Sequence, residues 1–131
     1  MFVDASAIIA ILANEKEGPA LLAKLDGATA SFTSPVAIYE ASLGLARSQR
    51  ISIEDAERVV TTLTKDKRTD VVAISAKTSA IALNAFSRFG KGRNPAGLNM
   101  GDCFAYACAK ELGVPLLYKG DDFAMTDIEV A

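Results

Sequence analysis

Four short apolar runs, each separated from the next by a stretch of helical length, constrain the fold of this chain most strongly. Such runs, bounded by polar or turn residues, are typical of buried strands, whereas the longer stretches carry apolar residues at helical spacing. Strands that alternate with helices pair in parallel and receive helices on both faces. The sequence therefore predicts an α/β fold, a three-layer α/β/α sandwich around a mostly parallel central sheet. The predicted strands are MFV (1–3), ASFT (30–33), DVVAI (70–74) and VPLLY (114–118).

Capping residues indicate where the helices begin. A serine side chain can accept a hydrogen bond from a free amide of the first turn, and proline suits the first helical position. Ser34 followed by Pro35 therefore predicts a helix that runs to about Ser48. We expect the other helices in SAIIAILAN after Asp4, in 51–66 with a Ser52–Asp55 capping pattern, from Ser75 to about Phe89, and from Asp102 to Leu112 with Gly113 as its C-cap.

The stretch GKGRNPAGLNM (90–100) interrupts this periodicity with three glycines and a proline, which predicts a loop. After the fourth strand, we expect a short strand at Asp127–Val130 to close the edge of the sheet. No internal repeat or low-complexity segment divides the chain. Its 131 residues, 50% of them hydrophobic, predict a single domain over 1–131 with a substantial core.

No apolar stretch approaches the roughly 18 residues of a membrane span, and no basic segment precedes an apolar run at the N-terminus. We therefore expect a cytoplasmic protein without a membrane partner. Cys103 and Cys108 lie five residues apart in one predicted helix, which is poor geometry for a disulfide and lacks the paired spacing of a zinc site. We interpret both as small core residues.

The chain contains no histidine, which excludes histidine general bases, Ser-His-Asp and Cys-His nucleophile systems, and every metal site that uses imidazole. Any chemistry must use carboxylates, amines or hydroxyls. The formal net charge of −2 gives no global attraction to nucleic acid, so such a ligand would require a local basic patch or a bridging cation.

Several carboxylates fall where a parallel sheet forms its sites, beyond the carboxyl ends of the strands. Asp4 follows the first strand, Asp102 begins the helix that leads to the fourth strand, and Asp121 and Asp122 follow that strand. Glu40 lies nearly two turns into a helix among apolar neighbours. Taken singly, each has a structural alternative, since aspartate is a common N-cap or turn residue and Glu40 could lie on a solvent face.

Together, these acids indicate a metal site, because crowded carboxylates repel one another unless a cation compensates their charge. Oxygen ligands without histidine or paired cysteine favour Mg²⁺, with Mn²⁺ as a substitute, over Zn²⁺. A site of this kind suits phosphodiester hydrolysis, because the metal polarises the phosphoryl oxygen and activates water.

The motifs FVDASA, IYEASLG, LNMGDCFAYACAKELGVPLLYKGDDF and the late TDI resemble those of PIN-domain ribonucleases, specifically VapC-type toxins, over essentially the whole chain. The resemblance implies an α/β/α sandwich, Mg²⁺- or Mn²⁺-dependent cleavage of RNA, and a cognate VapB-type antitoxin that occupies the active site. It also implies a homodimer.

The resemblance assigns roles to the acids by position. Asp4 and Asp102 resemble the principal metal ligands, and Glu40 resembles the acid that completes the site. Many PIN domains place a fourth acid where this chain has Gly120, so we expect Asp122 to replace it, with Asp121 in reserve.

Two polar residues near these acids are secondary candidates. Ser6 resembles a residue that could hold a metal-bound water, although it could equally be a helix-capping serine. Asn99 could contribute an outer contact or simply form a turn.

Cations near the glycine-rich loop could bind the phosphates of an RNA strand that flank the site. These are Arg88, Lys91 and Arg93, and the alternative is a solvated loop with solubilising charges. Tyr39 and Tyr118 could stack on bases, although packing within the protein would equally explain them.

Three other functions compete with a ribonuclease. A receiver-type phosphoacceptor domain would match Lys119 after the fourth strand but needs an aspartate where the chain has Ser75. A haloacid-dehalogenase-like phosphatase would need an aspartate at Ser6. An inactive PIN-fold binding module is favoured only by Gly120.

Overall fold

The computed structural model of the protein describes all 131 residues, as four strands and six helices that alternate along the chain. Each of the three crossovers between successive strands carries two helices. In chain order the elements are β1 Phe2–Val3, α1 Ala5–Leu12, α2 Gly18–Asp26, β2 Phe32–Thr33, α3 Pro35–Gln49, α4 Ile53–Asp66, β3 Asp70–Val71, α5 Ala76–Phe89, α6 Met100–Leu112 and β4 Leu116–Leu117.

The four strands form one parallel sheet in the order β3-β2-β1-β4. Phe2 is in register with Phe32 on one side and with Leu116 on the other, so β1 lies at the centre. Each predicted strand is present but spans only two residues. The chain first builds outward from β1 to β3 and then crosses back to place β4 beside β1, so the direction of winding reverses between these two strands. Sites in open parallel sheets form at such reversals.

Alternate strand residues face opposite layers, which confirms the three-layer α/β/α prediction. Phe2 and Leu116 contribute to a core shared with α5 and α6, whereas Val3 and Leu117 contribute to a second core shared with α1 to α4. All four of these side chains are at most 1% exposed. The sheet therefore carries one apolar layer of helices on each face and fixes the strand ends between them.

The predicted helix starts at Ser34, Ser52 and Ser75 are confirmed, because each serine accepts a hydrogen bond from an amide three residues later. Gly113 ends α6 in the left-handed conformation, as predicted. Helix α2 is not among the predicted helices, although Pro19 near its start and the spacing of Leu21 and Leu25 indicate it.

Two predicted boundaries are wrong. Helix α6 begins at Met100 rather than Asp102, because Asn99 is the residue that caps it. The expected strand at Asp127–Val130 is reduced to one parallel bridge between Leu116 and Val130, since the preceding residues turn away to pack against α6. None of the six helices combines the length and the hydropathy that crossing a membrane requires.

Asp127 fastens the C-terminal segment to the α5–α6 layer. Its Oδ1 accepts a 2.6 Å hydrogen bond from the Tyr106 hydroxyl, and its Oδ2 lies 3.2 Å from the Arg88 guanidinium and 3.6 Å from the Lys110 ammonium. The hydrogen bond from Tyr106 is the main cause that lowers the pKa of Asp127. Burial is the main cause that raises the pKa of Tyr106 to about 12, and the same hydrogen bond is the second cause.

We expect Tyr106→Phe to lower the free energy of unfolding by about 1 kcal/mol, because Asp127 loses its shortest hydrogen bond while the ring stays packed. Tyr118→Phe is the matched control, since the Tyr118 hydroxyl makes no hydrogen bond within the protein and its ring only packs against Phe123. Urea unfolding followed by circular dichroism measures both. Equal stability losses in the two variants would contradict the role given to Asp127.

Candidate active site

Asp4, at the carboxyl end of β1, both caps a helix and lines a cavity. It is the N-cap of α1, and its Oδ2 accepts hydrogen bonds from the Ser6 amide at 2.9 Å and from the Ser6 hydroxyl at 2.5 Å. The Ser6 hydroxyl in turn accepts a 3.0 Å hydrogen bond from the Lys119 amide, just after β4. The N-cap alternative for Asp4 and its place at a site are therefore compatible, and Ser6 joins the ends of β1 and β4.

Asp102 is held in a similar way at the start of α6. The Asn99 amide donates to Asp102 Oδ2 at 2.9 Å, and the Asp102 amide donates to Asn99 Oδ1 at 2.9 Å, which together form a capping box. Asn99 is thus the helix cap that orients Asp102. Its spacing of three residues before an acid was the sequence signal for this arrangement.

Each of these aspartates keeps one oxygen free. In both cases the hydrogen bonds use Oδ2, and Oδ1 has no partner of ordinary hydrogen-bond geometry. The two residues are only 4% and 9% exposed. Every fully buried side-chain oxygen in the protein has a hydrogen-bond partner, so an oxygen without a partner must be accessible. The free Oδ1 atoms of Asp4 and Asp102 therefore reach the cavity that the two residues line.

Glu40 approaches from α3 and packs against the first turn of α6. A Cβ atom built on Gly101 would lie 1.7 Å from Glu40 Oε1 and 2.2 Å from its carboxyl carbon. The carboxylate thus occupies the space that any side chain at position 101 would need. The glycine beside Asp102 is required by this contact with another helix, and nothing in the local sequence reveals it.

The two consecutive acids after β4 point to different cavities. Asp122 lines the same cavity as Asp4, whereas Asp121 lines a neighbouring one. Between them and β4, Gly120 has a φ of +99°, a conformation that side-chain-bearing residues rarely adopt. Lys119 anchors this turn through an ion pair with Glu15. The conformation of this turn therefore explains why position 120 holds a glycine rather than the fourth acid.

One cavity of about 370 Å³ brings together four predicted acids from four separate segments. It lies at the carboxyl ends of β1 and β4, where the sheet winding reverses. The secondary candidates Ser6 and Asn99 also line it, and Asp121 does not. Its lining residues are Asp4, Ala5, Ser6, Ile9, Glu40, Leu43, Gly44, Arg47, Asn99, Asp102 and Asp122.

The predicted RNA-binding cations lie outside this cavity. Arg88 pairs with Asp127 and lies 4.5 Å from the centre of the Phe89 ring. Arg93 lies 5.8 Å from the Phe86 ring, and Lys91 is exposed without an ion pair.

The tyrosines and cysteines differ in exposure. Tyr39 is 65% exposed on α3, whereas Tyr118 packs against Phe123. Cys103 and Cys108 are buried and free, and burial raises the pKa of both thiols to about 11, as expected for core residues.

The cavity strongly perturbs three carboxyl groups. Burial raises the pKa of Asp4, and the nearby charge of Asp122 adds to this effect, although the hydrogen bonds from Ser6 oppose it. Burial together with the charges of Asp4 and Asp102 raises the pKa of Glu40 to about 7. Burial is also the main cause that raises the pKa of Asp102 to about 6, with charges on Asp4 and Asp122 contributing. Burial and mutual repulsion therefore disfavour the charged forms of these three carboxyl groups.

The side chains fit a hard divalent cation that keeps part of its water shell. The available ligands are carboxylate oxygens, and the free Oδ1 atoms of Asp4 and Asp102 are the best placed. No three acidic or cysteine side chains converge closely enough to hold a metal ion by themselves. Mg²⁺ commonly binds through one or two carboxylates, with waters and substrate phosphates completing its shell, rather than in an all-protein cage.

This fold agrees with the comparisons to known proteins. The PIN domain family matches residues 1–129, and the chain belongs to this family. It is 39% identical to a VapC ribonuclease of Rhizobium meliloti, over 97% of this chain and 98% of that protein. It is 36% identical to ribonuclease VapC30 of Mycobacterium tuberculosis, over 98% of this chain and 95% of that protein.

The crystal structure of Mycobacterium tuberculosis VapC20, described as a Sarcin-Ricin loop cleaving toxin, superimposes with a TM-score of 0.76. The alignment covers 99% of this chain and 97% of VapC20 at 16% identity, which shows the shared fold. The protein is thus a toxin ribonuclease of the VapC kind, and the receiver and phosphatase alternatives are wrong. PIN-domain ribonucleases generally depend on a divalent metal.

We expect the metal-free protein to lose stability as the pH rises from about 4 to about 7. Unfolded carboxyls titrate near 4. Because the folded pKa values of Asp102 and Glu40 are higher, the folded state binds more protons than the unfolded chain in this window, and stability falls as they ionise. Asp102→Asn should flatten this decline and stabilise the protein by about 1 kcal/mol at pH 7.5.

Urea unfolding in EDTA across this pH range measures the effect. Asp121→Asn is the matched control, because it removes an acid from the same face but not from the cavity. Parallel stability curves for Asp102→Asn and wild type would contradict the raised pKa that burial and neighbouring charges give Asp102.

We expect Gly101→Ala to reduce ribonuclease activity by about tenfold to a hundredfold, because the new methyl group must displace the Glu40 carboxylate. Stability should change little, since alanine favours the helix and the displaced atoms are the mobile end of a side chain. Gly27→Ala is the control, because its Cβ would meet only ordinary contacts, at 3.5 Å or more. Wild-type activity in folded Gly101→Ala would show that the position of Glu40 does not matter.

Proposed function

We propose that this VapC-type ribonuclease hydrolyses RNA phosphodiester bonds with Mg²⁺ bound at Asp4 and Asp102, and with Glu40 and Asp122 completing the site. Mn²⁺ is expected to substitute. The observation that carries the proposal is the convergence of four acids from four segments on one cavity, with a free oxygen on each buried aspartate. A histidine-free chain offers no other group of chemically reactive side chains at this cavity.

When bound, the metal would polarise the phosphoryl group and make water a stronger nucleophile. The protein's own residues have separate tasks. The amide and hydroxyl of Ser6 hold Asp4 Oδ2, and the Asn99 amide holds Asp102 Oδ2, so that both Oδ1 atoms keep a fixed direction. Glu40, whose pKa is near neutrality, can take a proton at its carboxylate from the attacking water or return one to the leaving oxygen.

The low number of protein ligands supports a hydrated Mg²⁺. Two aspartate oxygens leave positions for water and for a phosphate oxygen, which is the coordination that Mg²⁺ tolerates best. The raised pKa values of Asp102 and Glu40 support the same assignment, because a cation would favour their charged forms. Asp122 is exposed on the rim and completes the acidic ring.

VapC toxins pair with VapB antitoxins and act on RNA. We infer a VapB-type partner that blocks this cavity, a homodimer as the functional assembly, and a cytoplasmic location, where RNA is available. Lys91 and Arg93 stay candidates for outer contacts to RNA, whereas Arg88 would first have to leave Asp127.

We expect Asp4→Asn and Asp102→Asn each to lower Mg²⁺-dependent RNA cleavage by about a hundredfold or more, since even residues behind metal ligands cost 10–100-fold. Asp122→Asn should impair cleavage more than its neighbour Asp121→Asn, which is the matched control outside the cavity. Cleavage of a labelled RNA is followed against Mg²⁺ concentration, with EDTA as the blank.

Wild-type rates in Asp4→Asn or Asp102→Asn would refute this site assignment. A larger effect of Asp121→Asn would transfer the fourth role to Asp121. Absence of metal-dependent cleavage by the wild-type protein would favour the alternative of an inactive PIN-fold binding module.

A further inference from the structure

Arg47 lines the same cavity as the four acids and lies on the same helix as one of them. It follows Glu40 by seven residues in α3, which is about two helical turns and places both residues on one face. The distance along the helix axis between them is about 10 Å. Glu40 and Arg47 therefore line the cavity from the same helix face, about two turns apart.

Arg47 is the one cation among the residues that line this cavity, beside four carboxylates. No carboxylate oxygen lies within ion-pair distance of its guanidinium. Arg88 and Lys119, in contrast, are both committed to acids of their own. The Arg47 guanidinium is exposed and free to bind an anion that enters the cavity.

The cavity lining between Glu40 and Arg47 carries no charge. Gly44 lies on this face between them, and the Ile9 side chain packs directly on it, since a Cβ there would meet Ile9 Cδ1 at 2.4 Å. Ala5, Ile9 and Leu43 are the apolar side chains of the lining. Apart from the four acids and Arg47, the lining has no charged side chain, so no other group of the cavity competes with Arg47 for a phosphate.

We propose that Arg47 binds a backbone phosphate of the RNA strand beside the phosphodiester that is cleaved. This inference rests on the proposed function and names the residue that fixes the strand in the cavity. A guanidinium suits the task, because it binds phosphate oxygens through two parallel hydrogen bonds and carries its charge at every physiological pH. The contact also supplies positive charge where a substrate must approach four carboxylates.

The test compares Arg47→Gln with Arg50→Gln. Arg50 is the matched control, because it is an exposed arginine at the end of the same helix that does not line the cavity. Cleavage of a short single-stranded RNA in saturating Mg²⁺ gives kcat and KM. Binding of the same RNA to each variant in an Asp102→Asn background, across a salt series, isolates the electrostatic contribution without cleavage.

We expect Arg47→Gln to raise KM about tenfold or more and to reduce the slope of log Kd against log salt by about 0.7, the value for one lost contact to a single strand. The Mg²⁺ concentration for half-maximal activity should be unchanged. Arg47→Lys should keep the salt slope but only part of the affinity, because lysine lacks the planar fork. Arg50→Gln should match wild type in every measurement.

A wild-type KM and salt slope in Arg47→Gln would overturn the proposal while leaving the ribonuclease assignment intact. Equal effects in Arg47→Gln and Arg50→Gln would also overturn it, because the loss would then reflect general charge rather than a defined contact. If the wild-type protein failed to cleave RNA with Mg²⁺, the proposed function itself would fail, and the binding series would still show whether Arg47 contacts RNA.

Discussion

The two buried aspartates both close the first turn of a helix, and the geometry of the cavity depends on this interaction. A free carboxylate in so enclosed a place would be costly, but amides at a helix start stabilise negative charge. Asp4 receives this support from Ser6, and Asp102 receives it from Asn99. The same bonds that make the charges tolerable also fix one oxygen of each residue. Stability and ligand orientation therefore arise from one set of contacts.

The sheet order makes these two helix starts neighbours. Because β4 returns to lie beside β1, the segment after β4 meets the start of α1, and the bond from Lys119 to Ser6 joins them directly. Helix α6 packs against β1 and brings Asp102 to the same edge. The two-residue strands are sufficient because apolar helices cover both faces and hold the strand ends in register.

Much of this arrangement could be predicted from the sequence, because it depends on local patterns. Alternating apolar runs predict the order of the strands. Ser34 and Ser75 predict helix starts, because each accepts a hydrogen bond from an amide three residues later. The separation of Asp121 from Asp122 could not be predicted, since it depends on the turn at Gly120. The pairing of Arg88 with Asp127 was equally hidden, because it joins segments distant in the chain. Such contacts are set by packing, which local patterns do not encode.

The contact of Gly101 with Glu40 has a consequence for how sequences of this kind can diverge. The two positions lie on different helices, yet the volume available at one is set by the side chain at the other. A shorter residue at 40 would release the restriction to glycine at 101, whereas a retained glutamate enforces it. Substitutions at the two positions should therefore be correlated among descendants of this sequence, and a larger residue at 101 should mark lineages in which the acid from α3 has already been lost.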